Sequence, residues 1–299
     1  MNKPLVVYPR SSTNVPYLRN LRDQARYLDF ASFAEVRKYN PPLAFMRVAT
    51  CSDPEFLEAQ DVETRLRCHG TRILNSVCKS FISRRKDICY LKLRECGLRT
   101  PLSCIPSSFA GAQAFIKDDG LKYPLICRVI DGMNGKGMYL VRDKNELSRA
   151  YSALRGKCMI VEYINTMRGG YHRKYRPYVL DDNVDMWEVG IDLQWIVNLA
   201  HGKRFNKRDF IDANKKKCWP TQWNELVLRV GKCLGLDVYA LDVIQDPTNL
   251  SCIILDVNVS YGMTATPDMF PPDVQELRKT HYARIANYLC RMSGKSAKI

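Results

Sequence analysis

Residues 241–258, LDVIQDPTNLSCIILDVN, constrain the fold more than any other segment. Two apolar, β-branched runs flank a turn-forming DPTN, so the segment predicts an antiparallel hairpin. Each run carries one aspartate in its interior. Folding the hairpin about Asn249 sets Asp242 opposite Asp256, and strand alternation puts Asn258 on the same face as Asp256. Two opposed carboxylates among apolar strands repel each other and lose hydration, so the arrangement calls for a cation between them. Asp242, Asp256 and Asn258 offer hard oxygen donors of the kind Mg2+ takes while sharing its other positions with phosphates and water. An aspartate that faces solvent or caps the turn is the plainer alternative.

Between strand-like runs at 123–130 and 138–141 lies DGMNGKG, residues 131–137. Three glycines let backbone N–H groups wrap an anion, and Lys136 adds positive charge. The loop lacks GxxxxGK[ST] and runs into a strand instead of a helix, so it is neither a P-loop nor a dinucleotide fingerprint. Strand, glycine loop and strand describe either a hairpin flap over phosphates or a simple turn.

The chain's 299 residues leave room for about two domains. Runs at 4–8 and 43–49 read as strands and 61–97 as a long, charged helical stretch, which together make an amino-terminal α/β domain closing near residue 100. Further on, 143–154 has a helix cap with apolar spacing behind it, 159–164 reads as a strand, 221–235 as an amphipathic helix stopped by Gly235, and 273–292 as a last helix. No apolar run is long enough to span a bilayer and the first residues do not resemble a signal peptide, so a cytoplasmic protein without a membrane partner is expected. The 12 cysteines include no CxxC and the 4 histidines no HExxH, which argues against zinc and redox motifs and predicts buried or incidental thiols.

Charge narrows the function classes. Lys and Arg number 46 against 31 Asp and Glu, a net charge of +15, so an anionic partner is expected. Segments 84–99, 165–176 and 201–217 together carry 13 of those 15 charges, so the excess is concentrated in three stretches and not in a separate basic arm. A solvated face is the plain reading of the 201–217 run. Tyr171, Tyr175, Tyr178, Trp187 and Trp195 read as packing residues, while His201, Lys203 and Arg204 either approach the substrate or form a solvated loop.

The order of these segments resembles the ATP-grasp superfamily, in the branch of carboxylate–amine ligases that includes ribosomal-protein glutamate ligases. The resemblance covers roughly residues 70–262: ILNSVCKSFISRRKDICYLKLRECGLRTP, YPLICRVIDGMNGKGMYLV, MIVEYI, RKYRPYVLDDNV, LGLDVYALDVI and ILDVNVSYG. It implies an α/β (α+β) ATP-grasp fold, with an amino-terminal pre-ATP-grasp domain over 1–99 and two α+β subdomains that hold ATP between them. The small subdomain with its glycine-rich flap would span 100–164 and the carboxy-terminal subdomain with the metal site 165–292, before a basic tail at 293–299. The resemblance also implies site residues. Lys86 and Arg128 would bind phosphates; Gly132, Asn134, Gly135, Lys136 and Gly137 would form the flap; Glu162, Tyr163 and Ile164 would hold adenine. Arg176, with Arg128, would face the transferred phosphate and the substrate carboxylate, and Asp242, Asp256 and Asn258 would hold Mg2+, or Mn2+ in its place.

Three departures from the family pattern are visible. Arg128 stands where lysine is usual, Asp256 where glutamate is usual, and NTMRGGYHRKY, residues 165–175, lacks the acid that commonly meets the ribose. The activity implied is ATP-dependent ligation of an anionic carboxylate substrate to an amine, an amino acid or peptide, through an acylphosphate, with release of ADP and phosphate. An ATP-grasp protein that binds or hydrolyses ATP, or phosphorylates its substrate without ligation, is the alternative, and a basic nucleic-acid binder is the third. Assembly as a homo-oligomer is compatible with each.

Overall fold

A computed structural model describes residues 3–9, 11, 18, 21–23, 26–48, 52–130, 135, 137–180, 182–197, 219–259 and 272–294. Three four-stranded sheets organise them. The first is all parallel in the order β2-β1-β3-β4, from β1 (Leu5–Tyr8), β2 (Asp29–Ser32), β3 (Leu43–Met46) and β4 (Arg72–Leu74). All four residues of β1 and of β3 are buried, as expected for a parallel sheet covered on both faces.

The segment expected to be helical over 61–97 is instead four elements. Helix α1 (Asp53–Cys68) starts earlier, where the Glu55 carboxylate accepts the Ser52 N–H at 2.9 Å, and ends before Gly70, whose φ of +78° suits glycine. Then β4 adds to the sheet edge with Leu43 opposite Arg72, followed by α2 (Val77–Arg84) and α3 (Lys86–Glu95). Three residues of strand leave too weak a period-two signal to interrupt the helical spacing on either side.

The second sheet, β5-β8-β6-β7, is antiparallel: β5 (Ser103–Cys104), β6 (Leu125–Arg128), β7 (Met138–Val141) and β8 (Met159–Glu162). Helices α4 (Phe109–Asp118) and α5 (Lys144–Ala153) contribute to its core with Leu125, Cys127, Val141 and Ile160. Helix α5 begins where the sequence predicts, with the Asp143 side chain accepting the Glu146 N–H at 2.8 Å.

The third sheet, β10-β9-β11-β12, is also antiparallel and consists of β9 (His172–Leu180), β10 (Asn183–Asp192), β11 (Val238–Gln245) and β12 (Cys252–Asn258). Helix α6 (Asn224–Leu234) covers one face, burying Val227, Val230 and Leu234 against Val179, Tyr239 and Leu241. Each such aliphatic side chain contributes about 1.5–3 kcal/mol on full burial. The Tyr239 hydroxyl enters the helix ladder, donating to the Val227 carbonyl at 2.8 Å and accepting the Gly231 N–H at 2.9 Å. A Cβ on Gly231 would come within 2.6 Å of that ring, so only glycine lets the strand approach. On the opposite face Tyr178, Leu180, Val238 and Ala240 meet Tyr282, Ile285 and Leu289 of α7 (Pro272–Met292) and the amino-terminal sheet.

Two long-range ties fix the third sheet against the rest. Buried Asn75 accepts the Asp237 and Val238 N–H groups on its side-chain oxygen at 3.0 and 3.1 Å. Cys96, just past α3, is disulfide-bonded to Cys233 of α6. The expectation of unpaired thiols is corrected for this pair: its partners lie 137 residues apart, and local spacing carries no sign of such a bond. Cys89, Cys127, Cys158 and Cys252 are free and buried, as expected, and the buried Cys290 thiol donates to the Tyr27 carbonyl. No helix among the described residues is long and apolar enough to cross a membrane.

Candidate active site

The face of the third sheet that α7 covers at one end turns polar at the other. Along β9 the inward positions run Lys174, Arg176, Tyr178 and Leu180, and along β11 Ile244, Asp242, Ala240 and Val238. Where the helix stops, charged residues replace apolar ones and wall a cleft of about 270 Å³ against β6 and β8 of the second sheet.

The hairpin register is the one that folding about Asn249 predicts at its functional end: Asp242 pairs with Asp256 and Ala240 with Asn258. Nearer the turn the register shifts, Val243 pairing with Ile254, so Leu255 is an extra residue and the hairpin is not symmetric. This β-bulge re-aims the strand, and Leu255, Asp256 and Asn258 all reach the cleft. The Leu255 carbonyl accepts the Tyr90 hydroxyl of α3 at 2.7 Å, which pins the bulge from the helix that also carries Lys86.

Side-chain cations meet both of the opposed carboxylates. Asp242 accepts from Lys174 Nζ at 2.9 Å on one oxygen and from Arg176 Nε at 2.7 Å on the other. Lys86 forms an ion pair with Asp256. Burial by itself would raise the Asp242 carboxyl, but the charges of Arg176 and then Lys174, with their hydrogen bonds, hold it well below the usual carboxylate range. Lys86 opens α3, the helix end where a cation is electrostatically disfavoured, so helix stability does not explain its place.

Lys86, Arg128, Gly135, Glu162, Tyr163, Ile164, Arg176, Asp242, Asp256 and Asn258, all expected at the site, line this one cleft. Arg128 is buried on β6, its Nε donating to the Val129 carbonyl at 3.2 Å. The Glu162 carboxylate accepts the Leu102 N–H at 3.0 Å, which anchors the strand end that continues into Tyr163 and Ile164. Gly137 closes the hairpin below the flap, its carbonyl accepting the Val129 N–H at 3.1 Å. Gly135 has φ +74°, and a Cβ there would meet Ile196 at 3.1 Å, so the flap crosses close to the far wall. Gly132, Asn134 and Lys136 lie outside the described residues, as do His201, Lys203 and Arg204.

Several lining residues were not among the expected ones. Lys174 and Arg173 are in the wall, and Trp195, read from sequence as packing, lines the cleft with its ring 6.2 Å edge-on from Tyr163. Lys174 lies two residues from Arg176 on one strand face, and that alternation is the signal that would have found it. Tyr175 and Tyr178 are buried packing residues, as expected. Among the described residues, five cationic side chains, Lys86, Arg128, Arg173, Lys174 and Arg176, face three carboxylates, Glu162, Asp242 and Asp256, leaving the cleft positive.

The donor set fits a magnesium ion shared with phosphate. Two carboxylates and an amide, each with hard oxygen donors, converge from paired strands. No group of three or more His, Cys, Asp or Glu able to hold a metal occurs among those residues, so further ligands would come from phosphate and water, as Mg2+ usually takes them.

A model of the RimK-like ATP-grasp domain matches residues 83–270. A probable alpha-L-glutamate ligase of Histophilus somni is 24% identical over 243 residues, covering 73% of this chain and 75% of that protein. The crystal structure of a RimK domain ATP-grasp protein from Sphaerobacter thermophilus superposes with TM-score 0.61 at 15% identity, over 95% of this chain and 99% of that one. The ATP-grasp ligase PsnB, solved with a minimal precursor, Mg and ADP, superposes with TM-score 0.61 at 14% identity over 95% and 98%.

Proposed function

The chain belongs to the RimK-like ATP-grasp domain family of ATP-dependent carboxylate–amine ligases, and on that premise we propose that it joins an anionic acid to the amine of an amino acid or peptide. The single observation that carries the reading is the cleft itself: an excess of positive side chains converging on two carboxylates and an amide, between a glycine hairpin and the third sheet.

A carboxylate resists attack by an amine because it is anionic and would have to expel oxide. Transfer of the γ-phosphoryl group from ATP to a carboxylate oxygen gives an acylphosphate and ADP. The amine then attacks the acyl carbon, phosphate leaves with the former carboxylate oxygen, and the amine nitrogen loses a proton. No nucleophile is required from the chain. Its task is to place the reactants and to balance charge as it shifts between oxygens.

We assign Lys86 and Arg128 to the phosphates, with the flap around Gly135 and Gly137 closing over them. Arg128 presents a planar fork where a lysine would present a point charge, which suits two phosphate oxygens at once. Glu162, Tyr163 and Ile164 border the adenine end, walled by Trp195. Arg176 and Lys174 face the oxygens between which the phosphoryl group moves. Asp242, Asp256 and Asn258 would hold Mg2+, which would supply charge neutralisation to the phosphates. The three units of function are taken as residues 1–99, 100–164 and 165–292.

The test is coupled turnover. ADP should accumulate only when an acid and an amine are both supplied with ATP and Mg2+, and Asp256→Ala should abolish it. Wild-type turnover in that variant would contradict the metal assignment. Phosphorylated acid without amide would favour the non-ligating alternative.

A further inference from the structure

Helix α3 meets the strand that carries Asp256 and Asn258 with two residues one turn apart. Lys86 and Tyr90 are four residues apart and so share one face of the helix. They reach successive residues of β12: Lys86 pairs with the Asp256 carboxylate, and the Tyr90 hydroxyl donates to the Leu255 carbonyl at 2.7 Å. Leu255 is the extra residue of the bulge, the one left over in the pairing with β11. A bulge re-aims the side chains beside it because its extra residue stands outside the ladder, and here the Tyr90 hydroxyl holds that residue. Asp256 comes next in the chain. Its Oδ1 accepts the Val257 N–H at 3.0 Å and meets Lys86, and no contact with a described residue falls on Oδ2. Oδ2 is therefore the oxygen left for a ligand in the cleft that Asp256 lines.

The ring of Tyr90 is anchored on the other side of the cleft. The residue is 4% exposed and clusters with Met159 and Val161 of β8, against which Ile126 of β6 and Ile130 pack. These strands also carry Arg128 and Glu162. One side chain thus joins the helix of Lys86, the second sheet and the backbone beside Asp256. Burial of the ring does not call for the hydroxyl, since phenylalanine would present the same apolar face to these aliphatic side chains. A buried hydroxyl loses hydration, and the single donor of this one goes to the bulge.

We propose that Tyr90 is a positioning residue for the divalent cation: by holding the Leu255 carbonyl, its hydroxyl sets the direction in which Asp256 presents Oδ2 to the cleft. The proposal rests on the assignment of Asp242, Asp256 and Asn258 to Mg2+ and adds to it a residue that acts through the backbone and not on the reacting atoms.

Binding of Mn2+ in the presence of a non-hydrolysable ATP analogue, read as loss of the free-ion signal in electron paramagnetic resonance, tests it without turnover. Tyr90→Phe should raise the Mn2+ dissociation constant about fivefold, the scale of one hydrogen bond, while metal-free binding of a fluorescent form of the analogue stays within about twofold of the wild type. Tyr90→4-aminophenylalanine keeps a weaker donor in the same place and should give an intermediate constant. That variant carries the comparison if Tyr90→Phe fails to fold. Tyr239→Phe removes a buried hydroxyl on the side of the third sheet away from the cleft and should leave Mn2+ binding at the wild-type value, which separates aim from stability. An unchanged constant in the folded Tyr90 variants, an equal loss in Tyr239→Phe, or a loss of metal-free nucleotide binding as large as that of Mn2+ would each overturn the proposal. Failure of the metal assignment looks different: the wild type would bind no Mn2+, or would bind it in a way that Asp256→Ala leaves intact, and the proposal would fall with it.

Discussion

Asp242 is the residue on which the cleft's charges converge. Buried and clasped by Lys174 and Arg176, it shows how a carboxylate can sit in a strand interior: two cations and their hydrogen bonds offset the lost hydration. Lys174 and Arg176 therefore neutralise Asp242, and on the proposed assignment they also meet phosphate oxygens. Lys174→Met should lower kcat/KM for ATP by about a hundredfold, the scale of removing one preorganised charge from a phosphoryl-transfer site, as read from ADP release. An unchanged kcat/KM would confine Lys174 to neutralising Asp242. The aspartates and Asn258 were legible from sequence because a carboxylate in an apolar strand is conspicuous and strand alternation is strict. Lys174 was not, because a lysine beside an arginine in a basic segment looks like solvated charge until a partner 68 residues away is placed opposite it.

At the scale of elements, the sheet that presents the site is held by contacts far from the chemistry. The Tyr239 hydroxyl replaces a rung of helix α6, so Tyr239→Phe leaves the Val227 carbonyl and Gly231 N–H without that partner. We expect a loss of about 1–3 kcal/mol in urea unfolding, and a loss below a few tenths would show that the helix closes its own ladder. On the other face, buried His281 of α7 lies 3.8 Å from Asp185 of β10, which Arg284 grips at 2.7 Å. Burial, only partly opposed by Asp185, holds His281 below its ordinary pKa. Asp185 is held below its own despite burial, by the nearby His281 and by the charge and hydrogen bond of Arg284. Both groups have lower folded than unfolded pKa values, so the unfolded chain takes up more protons and stability falls on acidification. The His281 contribution starts to be lost below about pH 6.5 and that of Asp185 below about pH 4. Unfolding midpoints measured across pH 7 to 5 should slope less in His281→Gln than in the wild type; parallel slopes would remove His281 from the account. The hairpin, the capped α5 and the Gly235-stopped α6 were legible because each has a local cause. Strand β4 and the β-bulge at Leu255 were not, since one is set by pairing with β3 and the other by the Tyr90 hydroxyl reaching from α3.

For the whole molecule, part of the net charge of +15 acquires a location. Among the described residues, the cations of segments 84–99 and 165–176 include Lys86, Arg173, Lys174 and Arg176 of the cleft. A surface for nucleic acid would spread such charge over an exposed face; here part of it turns inward on a concave site between two sheets. That arrangement belongs to an enzyme that handles phosphate and carboxylate together. Activation of the acid as an acylphosphate is measured most directly with an acid labelled with ¹⁸O in its carboxylate. In a reaction with ATP, Mg2+ and the amine, one labelled oxygen should appear in phosphate for each amide formed. Amide formation with unlabelled phosphate, or ADP release without amide, would contradict the account.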